Sequence, residues 1–378
     1  MNVAVADIET PAVLVDYERL IANIKRVEAL ANAHGLHVRP HVKTHKCIQI
    51  ARLQLAHGAT GITASKVDEA LIFIDSGEFA AITVAYPIID VRKLKRLIAG
   101  ANSGGVQLRI IIDSVVGLEA ASAAAAAAAS PMKVMLKIDV GLHRCGLAES
   151  DPQLLNLARK ISADSALRLS GILSHAGHAY AAMSRAEIAS IAADEANMME
   201  RIRARLRESV GEISVISVGS TPTVLASETF DGITEIRPGN YVFLDGTAVR
   251  LGIAEMEDVA LHVLATVVSA NERYFIIDAG SKVLSSDLGA HGTMSQSGYG
   301  VAFPLERALA DVAPLTLVRL SEEHGWIERD GVDLPIGSKV RIVPNHACPV
   351  ANLAEHFGVT SDDRLIDYWP VAARAKVR

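Results

Sequence analysis

Arg39-Pro40-His41-Val42-Lys43-Thr44-His45-Lys46 follows a helical segment and a short apolar run that ends at Val38. This octapeptide gathers several cations where a strand is predicted to end, a poor place to bury charge without a functional reason. Burial and neighbouring cations lower the pKa of a lysine and free its amine, which a Schiff base with an aldehyde cofactor requires. From these eight residues alone, a solvated basic turn is an equally good interpretation.

Upstream and downstream of the octapeptide, short β-branched runs alternate with longer amphipathic stretches. Ala12–Asp16 predicts a strand, and Tyr17–His34 predicts a helix whose apolar residues recur at i, i+3 and i+4 spacing. Further strands are predicted at 61–63, 80–84, 108–113, 134–139, 167–174 and 215–218, and helices at 66–75, 91–98, 115–129 and 184–207. About eight βα units in roughly 230 residues predict a parallel (β/α)₈ barrel, with a doubly wound sheet as the rival.

The texture of the chain changes after about residue 251. Short β-rich runs separated by Gly and Asp turns replace the long helical patterns, at 259–267, 274–278, 315–320, 326–329 and 339–343. Such runs predict a mostly β domain. We therefore expect an α/β protein with a barrel over 9–248 and a C-terminal β domain over 249–378, and residues 1–8 are candidates to pack with the second domain.

Composition narrows the class of protein. The chain has 378 residues, is 50% hydrophobic and carries a formal net charge of −6. This negative charge is not typical of proteins that bind nucleic acid, which are basic. No apolar run approaches the ~20 residues that span a bilayer, and the start lacks the order of a signal peptide. Three cysteines cannot form a disulfide framework. These features predict a cytoplasmic enzyme without a nucleic-acid or membrane partner.

Polar motifs follow five of the predicted strands. In a parallel barrel such strand ends share one rim, where active sites lie. The motifs contain Lys43, Asp139 with Arg144, His175 with Tyr180, the segment 217–223, and the segment 237–241. The sequence therefore predicts a site built from this rim.

The segment Gly219-Ser220-Thr221 has the composition of a phosphate-binding turn. Glycine permits close approach of the backbone, and N–H groups at a helix start can donate to an anion together with the two hydroxyls. Gly239 and Asn240 could supply further N–H groups. The alternative interpretation is an ordinary helix cap with proline in the first turn.

His346-Ala347-Cys348 lies in the second domain. In an extended chain these two side chains project to the same side, and an imidazole with a thiolate suits Zn²⁺. Two protein ligands leave room for water and substrate but fall short of a structural zinc set. The alternative is a buried cysteine beside a surface histidine.

Taken together, the motifs resemble those of the D-threonine aldolase / D-serine dehydratase family. Six elements occur here in the family's order over about residues 9 to 353: Arg-Pro-His-Val-Lys-Thr-His-Lys, Asp-Val-Gly-x-x-Arg-Cys-Gly, Ser-His-Ala-Gly-His-x-Tyr, Val-Gly-Ser-Thr-Pro-Thr, Arg-Pro-Gly-Asn-Tyr and Asn-His-Ala-Cys-Pro. These enzymes share the alanine-racemase-like fold and use pyridoxal 5′-phosphate (PLP). The resemblance implies a PLP barrel, a C-terminal β domain and a homodimer with sites near the domain and subunit boundary.

The resemblance also implies roles for individual residues. Lys43 is implied as the Schiff-base lysine, Arg144 as the neighbour of the phenolic oxygen, and Arg237 as the neighbour of the pyridine nitrogen. The implied phosphate site comprises Gly219, Ser220, Thr221, Gly239 and Asn240. His175 and Tyr180 are implied beside the cofactor ring and the substrate, which makes them candidate catalytic residues with Lys43. His346 and Cys348 are implied as ligands of a divalent metal.

The metal pair separates the reactions within the family. Aldolase members carry His-x-Asp, which suits Mg²⁺ or Mn²⁺, whereas dehydratase members carry His-x-Cys, as this chain does, which suits Zn²⁺. We therefore expect β-elimination from D-serine, D-threonine or D-3-hydroxyaspartate to an oxo acid and ammonia. Retro-aldol cleavage to glycine and an aldehyde is the alternative, and racemisation is a third. A PLP-binding protein without turnover is a fourth, although its family usually lacks a second domain.

Overall fold

The computed structural model describes residues 3–126, 130–290, 297–307 and 312–378. Within these ranges, eight parallel strands form one sheet in the order β3-β10-β9-β8-β7-β6-β5-β4. The strands are β3 (His37–Val38), β4 (Ile62–Ala64), β5 (Ala81–Val84), β6 (Gln107–Ile112), β7 (Met132–Lys137), β8 (Leu167–Leu173), β9 (Val215–Val218) and β10 (Glu235–Ile236).

Parallel bridges join the two edges of this sheet. Val38 bridges to Ala59 and His41 to Thr63, so the segment that begins at β3 lies beside β4. The ring is thereby closed, which confirms the predicted barrel and excludes the doubly wound sheet.

Helices connect the barrel strands and cover the outside of the ring. They are α1 (Tyr17–His34), α2 (Ile48–Ala56), α3 (Val67–Asp75), α4 (Val91–Ser103), α5 (Val115–Ala125), α6 (Gln153–Ala163), α7 (Arg185–Val210), α8 (Thr221–Ala226) and α9 (Gly246–Arg250). The predicted helix over 115–129 ends at Ala125 in the described part, and residues 127–129 lie outside it. None of the helices in the described ranges combines the length and apolar character that a membrane crossing requires.

Helix α1 illustrates how local sequence sets these elements. The Asp16 side chain accepts a hydrogen bond from the Arg19 N–H at 3.0 Å and so caps the first turn. Gly35 ends the helix with φ +65°, a conformation that glycine adopts without steric strain. Between these ends, Leu20, Ile24 and Val27 recur on one face and are buried against the barrel.

The second sheet has ten strands among the described residues and is mostly antiparallel. Its strands are β1 (Val3–Ala4), β2 (Ala12–Asp16), β11 (Leu261–Ala270), β12 (Tyr274–Ile277), β13 (Gly300–Pro304), β14 (Leu315–Leu320), β15 (Gly325–Glu328), β16 (Lys339–Pro344), β17 (His356–Ser361) and β18 (Arg364–Pro370). Two short helices, α10 (Ser281–Leu284) and α11 (Ala347–Leu353), accompany them. The predicted C-terminal β domain is confirmed.

One strand that we had placed in the barrel belongs to the second sheet. Leu14 of β2 pairs with His262 of β11 on one side and with Gly358 of β17 on the other. A short apolar run predicts a strand but not the sheet that it joins, so the sequence pattern could not make this assignment. β1 pairs with β18, so residues 3 and 4 also lie on the second sheet. The division at 248/249 remains a prediction.

Candidate active site

A cavity of about 410 Å³ opens at the carboxyl ends of the barrel strands, and we call it the catalytic cavity because the predicted catalytic residues Lys43 and His175 line it. It is lined by His41, Lys43, Ser65, Ala85, Tyr86, Pro87, Lys137, Arg144, Cys145, Leu173, His175 and Arg237. The fold thus brings together Lys43, Arg144, His175 and Arg237 from four separate rim motifs. A larger cavity of about 570 Å³, against β17 and β18, contains none of the predicted site residues.

Lys43 lies on a single 3₁₀ turn, Val42–Thr44, which follows β3 after three intervening residues. Burial lowers the pKa of its amine, and the charges of Arg144 and Arg237 lower it further, against the opposing charge of Cys348. The fold therefore shifts this amine toward its unprotonated form. That is the form in which a lysine can attach to an aldehyde.

Arg237 is held by a chain of hydrogen bonds inside the barrel. Its Nε donates to Ser217 Oγ at 2.7 Å, and its Nη2 donates to the Ser174 and Ser217 carbonyls. Ser217 Oγ donates in turn to Glu235 Oε1 at 2.6 Å. Glu235 Oε2 accepts from Arg39 Nε at 3.1 Å and from Arg109 Nη2 at 2.6 Å. One buried carboxylate therefore supports three guanidinium groups.

We expect Glu235→Gln to lower the free energy of unfolding by about 3–5 kcal/mol, the usual effect of removing one partner of a buried ion pair. Ser217→Ala leaves the buried carboxylate and the three guanidinium groups in place and removes only the hydroxyl between Glu235 and Arg237. It should lower the free energy of unfolding by about 1.5–3 kcal/mol, the range for hydrogen bonds to charged groups. Burial raises the pKa of Glu235, but Arg109 and Arg39 outweigh this and lower it overall. Its contribution is then present above the pKa of the unfolded state and is lost as pH falls through the folded-state pKa.

Urea unfolding at several pH values measures these changes. The free energy of unfolding of the wild type should decrease as the pH falls. This decrease should be smaller in Glu235→Gln, which lacks the carboxylate, and should persist in Ser217→Ala, which keeps it. Equal unfolding free energies for wild type and Glu235→Gln at neutral pH would contradict the support assigned to this carboxylate.

His175 and Tyr180 lie at the end of β8, on the side of the phosphate-type motif. His175 Nδ1 is 2.8 Å from the Gly219 carbonyl oxygen, so Nδ1 carries the ring proton. Burial and the charge of Lys43 lower the pKa of His175 well below its usual range, so the imidazole is neutral. Tyr180 hydrogen bonds with Thr221, and burial together with the charges of Cys348 and Asp245 raises its pKa.

The motif at 219–223 forms a helix cap. Ser220 Oγ accepts from the Thr223 N–H at 3.4 Å, and the Ser220 N–H donates to Thr223 Oγ1 at 3.1 Å, with Pro222 in the first turn of α8. Gly219 has φ +130°, and a Cβ at this position would lie 3.1 Å from the backbone nitrogen of Arg237. The alternative interpretation, a helix cap with proline in the first turn, therefore describes the structure of this motif correctly. Phosphate binding by the motif remains a prediction.

The second part of the predicted phosphate site also has a role in the fold. At Gly239, a Cβ would approach Thr44 Oγ1 to 2.9 Å, so the turn that carries Lys43 leaves no space for a side chain. Asn240 Nδ2 donates to Asp245 Oδ2 at 2.7 Å, and the same oxygen accepts from the Ala347 N–H at 2.9 Å. Asp245, which is fully buried, thus connects the barrel to the segment that contains His346.

His346 and Cys348 are adjacent, although not through an extended chain. The backbone is extended at His346, but helix α11 begins at Ala347, so our expected extended geometry across both residues was wrong. The two side chains hydrogen bond with each other. Cys348 Sγ also lies 3.4 Å from Thr44 Oγ1, next in sequence to Lys43. This contact places the pair beside the catalytic cavity.

The chemistry of the pair suits a borderline-soft cation. Asp287 Oδ2 lies 2.8 Å from His346 Nδ1, so that nitrogen keeps its proton and Nε2 would serve as the ligand once a metal displaces its proton. Burial opposes ionisation of Cys348, but the charge and hydrogen bond of His346 outweigh it and lower the thiol pKa. In the described part of the chain, no group of three or more His, Cys, Asp or Glu side chains is arranged to hold a metal. Open coordination positions are typical of a catalytic metal site.

The charge of the cavity suits an anionic cofactor. Among the described residues that line it, none is acidic, whereas Lys43, Lys137, Arg144 and Arg237 are basic. A phosphorylated aldehyde such as PLP, which is anionic overall, therefore suits the charge of this cavity. The fit also explains why a lysine with a lowered pKa faces the cavity.

Sequence reasoning missed several residues of this site. Lys137 Nζ donates to the Ile138 carbonyl at 2.8 Å, and burial with the charge of Arg237 lowers its pKa to about 8. A lysine that ends the apolar run Val134–Leu136 was a usable signal. Tyr86 carries no such signal, because an aromatic residue after a strand is commonly a packing residue.

Comparison with known proteins places the chain in a family. The model for the alanine racemase N-terminal domain matches residues 15–246, and the model for a putative serine dehydratase domain matches residues 260–360. D-threo-3-hydroxyaspartate dehydratase from Delftia sp. (strain HT23) is 33% identical over 376 residues, which cover 96% of this chain and 97% of that protein. The chain belongs to the D-threonine aldolase / D-serine dehydratase family.

Other family members resemble the chain over similar lengths. D-threonine aldolase from Arthrobacter sp. is 30% identical over 98% of this chain and 93% of that protein. The solved structure of the Delftia dehydratase matches with a TM-score of 0.90 at 32% identity, over 97% of this chain and 98% of that one. A further similar structure, with a TM-score of 0.90 and 32% identity, is a cysteine-to-alanine mutant of a D-threo-3-hydroxyaspartate dehydratase in the metal-free form.

These relatives confirm the family, the alanine-racemase-like fold and the lyase class that the motifs predicted. They include both dehydratases and aldolases, so the family alone does not separate the two reactions. The roles of the individual site residues remain predictions.

Proposed function

We propose that the protein is a PLP- and metal-dependent lyase that dehydrates D-β-hydroxy amino acids to an oxo acid and ammonia. The observation that carries the proposal is the His346–Cys348 pair, which contacts Thr44 beside Lys43 through Cys348 Sγ at 3.4 Å. A thiolate ligand rather than a carboxylate favours zinc over magnesium or manganese. The dehydratases among the relatives support the same choice.

Each residue of the site has a part in this chemistry. PLP, when bound, supplies an electron sink for charge at the substrate Cα. Lys43 would hold the cofactor and, once displaced by the substrate amine, accept the Cα proton, a task that its lowered pKa favours. Arg237 would donate a hydrogen bond to the ring nitrogen, and Arg144 would lie at the phenolic oxygen.

The remaining residues bind and orient. Neutral His175, with its Nδ1 proton bonded to the Gly219 carbonyl, would present a fixed ring face beside the cofactor. Gly219, Ser220, Thr221, Gly239 and Asn240 would surround the phosphate, with Tyr180 at its Thr221 side. His346 and Cys348 would hold zinc, which supplies a Lewis acid for the departing β-hydroxyl.

We also propose that the enzyme is a cytoplasmic homodimer. Four large apolar side chains are exposed on segments that follow β5, β6 and β8, at the end of the barrel where the catalytic cavity opens: Tyr86, Ile89, Val116 and Met183. Apolar side chains gathered around a site entrance are typical of a surface that another subunit covers.

A substrate panel tests the proposed function. The purified holoenzyme should release ammonia from D-serine, D-threonine or D-threo-3-hydroxyaspartate. It should be inactive with the L isomers and with D-alanine, which has no β-hydroxyl to lose. Ammonia release from L isomers, or racemisation of D-alanine without release, would contradict the proposal and favour a racemase.

A further inference from the structure

A second polar cavity, of about 360 Å³, lies at the other end of the barrel. We call it the lower cavity. Its lining comes mainly from the first residues of strands β5 to β9 and includes Gln107, Arg109, Lys133 and Arg168, together with Arg39. It shares no lining residue with the catalytic cavity, and the proposed lyase activity assigns no ligand to it.

The lower cavity has an excess of positive charge. Four cations line it, and the one acidic residue among its described lining residues, Glu212, already accepts from Arg203 Nη2 at 2.8 Å. Beneath the cavity, Arg39 and Arg109 share a single oxygen of Glu235. One carboxylate therefore balances the positive charge of two guanidinium groups only in part. Lys133 and Arg168 at the rim of the cavity add further positive charge.

The donors are only partly satisfied by the protein. Arg39 Nη1 is buried and has no hydrogen-bond acceptor among the described residues. Lys133 Nζ lies 3.3 Å from Gln107 Oε1, which is a neutral acceptor. Buried donors without an acceptor are uncommon in native proteins, and a bound anion is one way to satisfy them.

We propose that the lower cavity is a binding site for a small polyanion of the phosphate class. Guanidinium groups donate well to phosphate oxygens, and Arg39, Arg109 and Arg168 bring three of them around one space. Arg109 already donates to Thr83 and Glu235 and Arg39 Nε to Glu235, so these two would contribute their remaining N–H groups and their charge. The volume admits a small molecule rather than a macromolecule. The overall net charge of −6 makes this local surplus of cations a specific feature of the cavity.

Isothermal titration calorimetry of the PLP-loaded holoenzyme with pyrophosphate tests the site. The bound cofactor occupies its own phosphate position, so pyrophosphate cannot bind there. We expect saturable binding to wild type. The rim variant Lys133→Gln/Arg168→Gln should raise Kd for pyrophosphate by at least about tenfold, because two charge-assisted hydrogen bonds to the anion are lost. Lys25→Gln/Lys95→Gln removes the same charge from exposed helix positions and should leave Kd unchanged.

Three results would overturn the proposal. The first is absence of saturable binding to wild type. The second is equal weakening in the rim variant and the charge control, which would indicate general screening. The third is binding that persists in the rim variant but disappears after chelation, which would place the anion at His346 and Cys348. Turnover should be unchanged in the rim variant, because neither residue lines the catalytic cavity.

Discussion

Lys43→Ala is expected to lower turnover of D-β-hydroxy amino acids by roughly 10⁴-fold, the upper end of what a positioned proton-transfer group contributes. The variant loses both the attachment point of the cofactor and the amine that accepts the Cα proton. The visible absorbance band of the lysine-bound cofactor should disappear as well. Steady-state kinetics and an absorbance spectrum of the purified variant measure the two effects.

Lys137 provides a matched control, because it is a buried lysine on the wall of the same cavity as Lys43. Borohydride reduction of wild type followed by peptide mapping should find the cofactor on Lys43. In Lys137→Gln the label should remain on Lys43, since the attachment point is intact. Label on Lys137, or an unchanged spectrum in Lys43→Ala, would remove Lys43 from its proposed role.

The metal pair should give the second-largest effect. We expect His346→Ala to lower kcat by roughly 10³-fold, because a Lewis acid at a departing oxygen is worth several kcal/mol. Chelation of wild type should have the same effect while the cofactor spectrum persists, and Zn²⁺ should restore activity. Metal content and kcat, measured on the same samples, establish whether the loss follows the metal.

Two further variants separate a metal role from a structural one. Asp287→Asn leaves both proposed ligands in place but weakens the hold on His346 Nδ1, and should reduce metal affinity by about 10–100-fold. Cys348→Asp supplies a harder oxygen ligand and should shift the preference toward Mn²⁺ or Mg²⁺. Full activity of metal-free His346→Ala would show that the pair is merely structural.

The sequence predicted the barrel because its signals are local. Alternation of β-branched and amphipathic segments requires only neighbouring residues, and α1 and β9 were predicted with the bounds that the structure has. The rim motifs followed from the same logic, since parallel strands place their carboxyl ends together. The sequence therefore sufficed to predict one rim for Lys43, Arg144, His175 and Arg237, and all four line one cavity.

Features that depend on distant contacts could not be predicted in this way. Strand β2 belongs to the second sheet because it pairs with β11 and β17, which lie far away in the sequence. Nothing in the five residues of β2 indicates those partners. Glu235 precedes Arg237 by two residues, but its support of that arginine runs through Ser217 on another strand. The short helix α11 was missed because seven residues with a proline in the first turn carry little periodicity.

The product partition from D-threonine tests the central claim most directly. Dehydration yields 2-oxobutanoate and ammonia, whereas retro-aldol cleavage yields glycine and acetaldehyde. With the zinc-loaded holoenzyme, we expect 2-oxobutanoate and ammonia in equal amounts and little glycine. A dominant yield of glycine and acetaldehyde would contradict the account and make the protein an aldolase on the same set of binding residues.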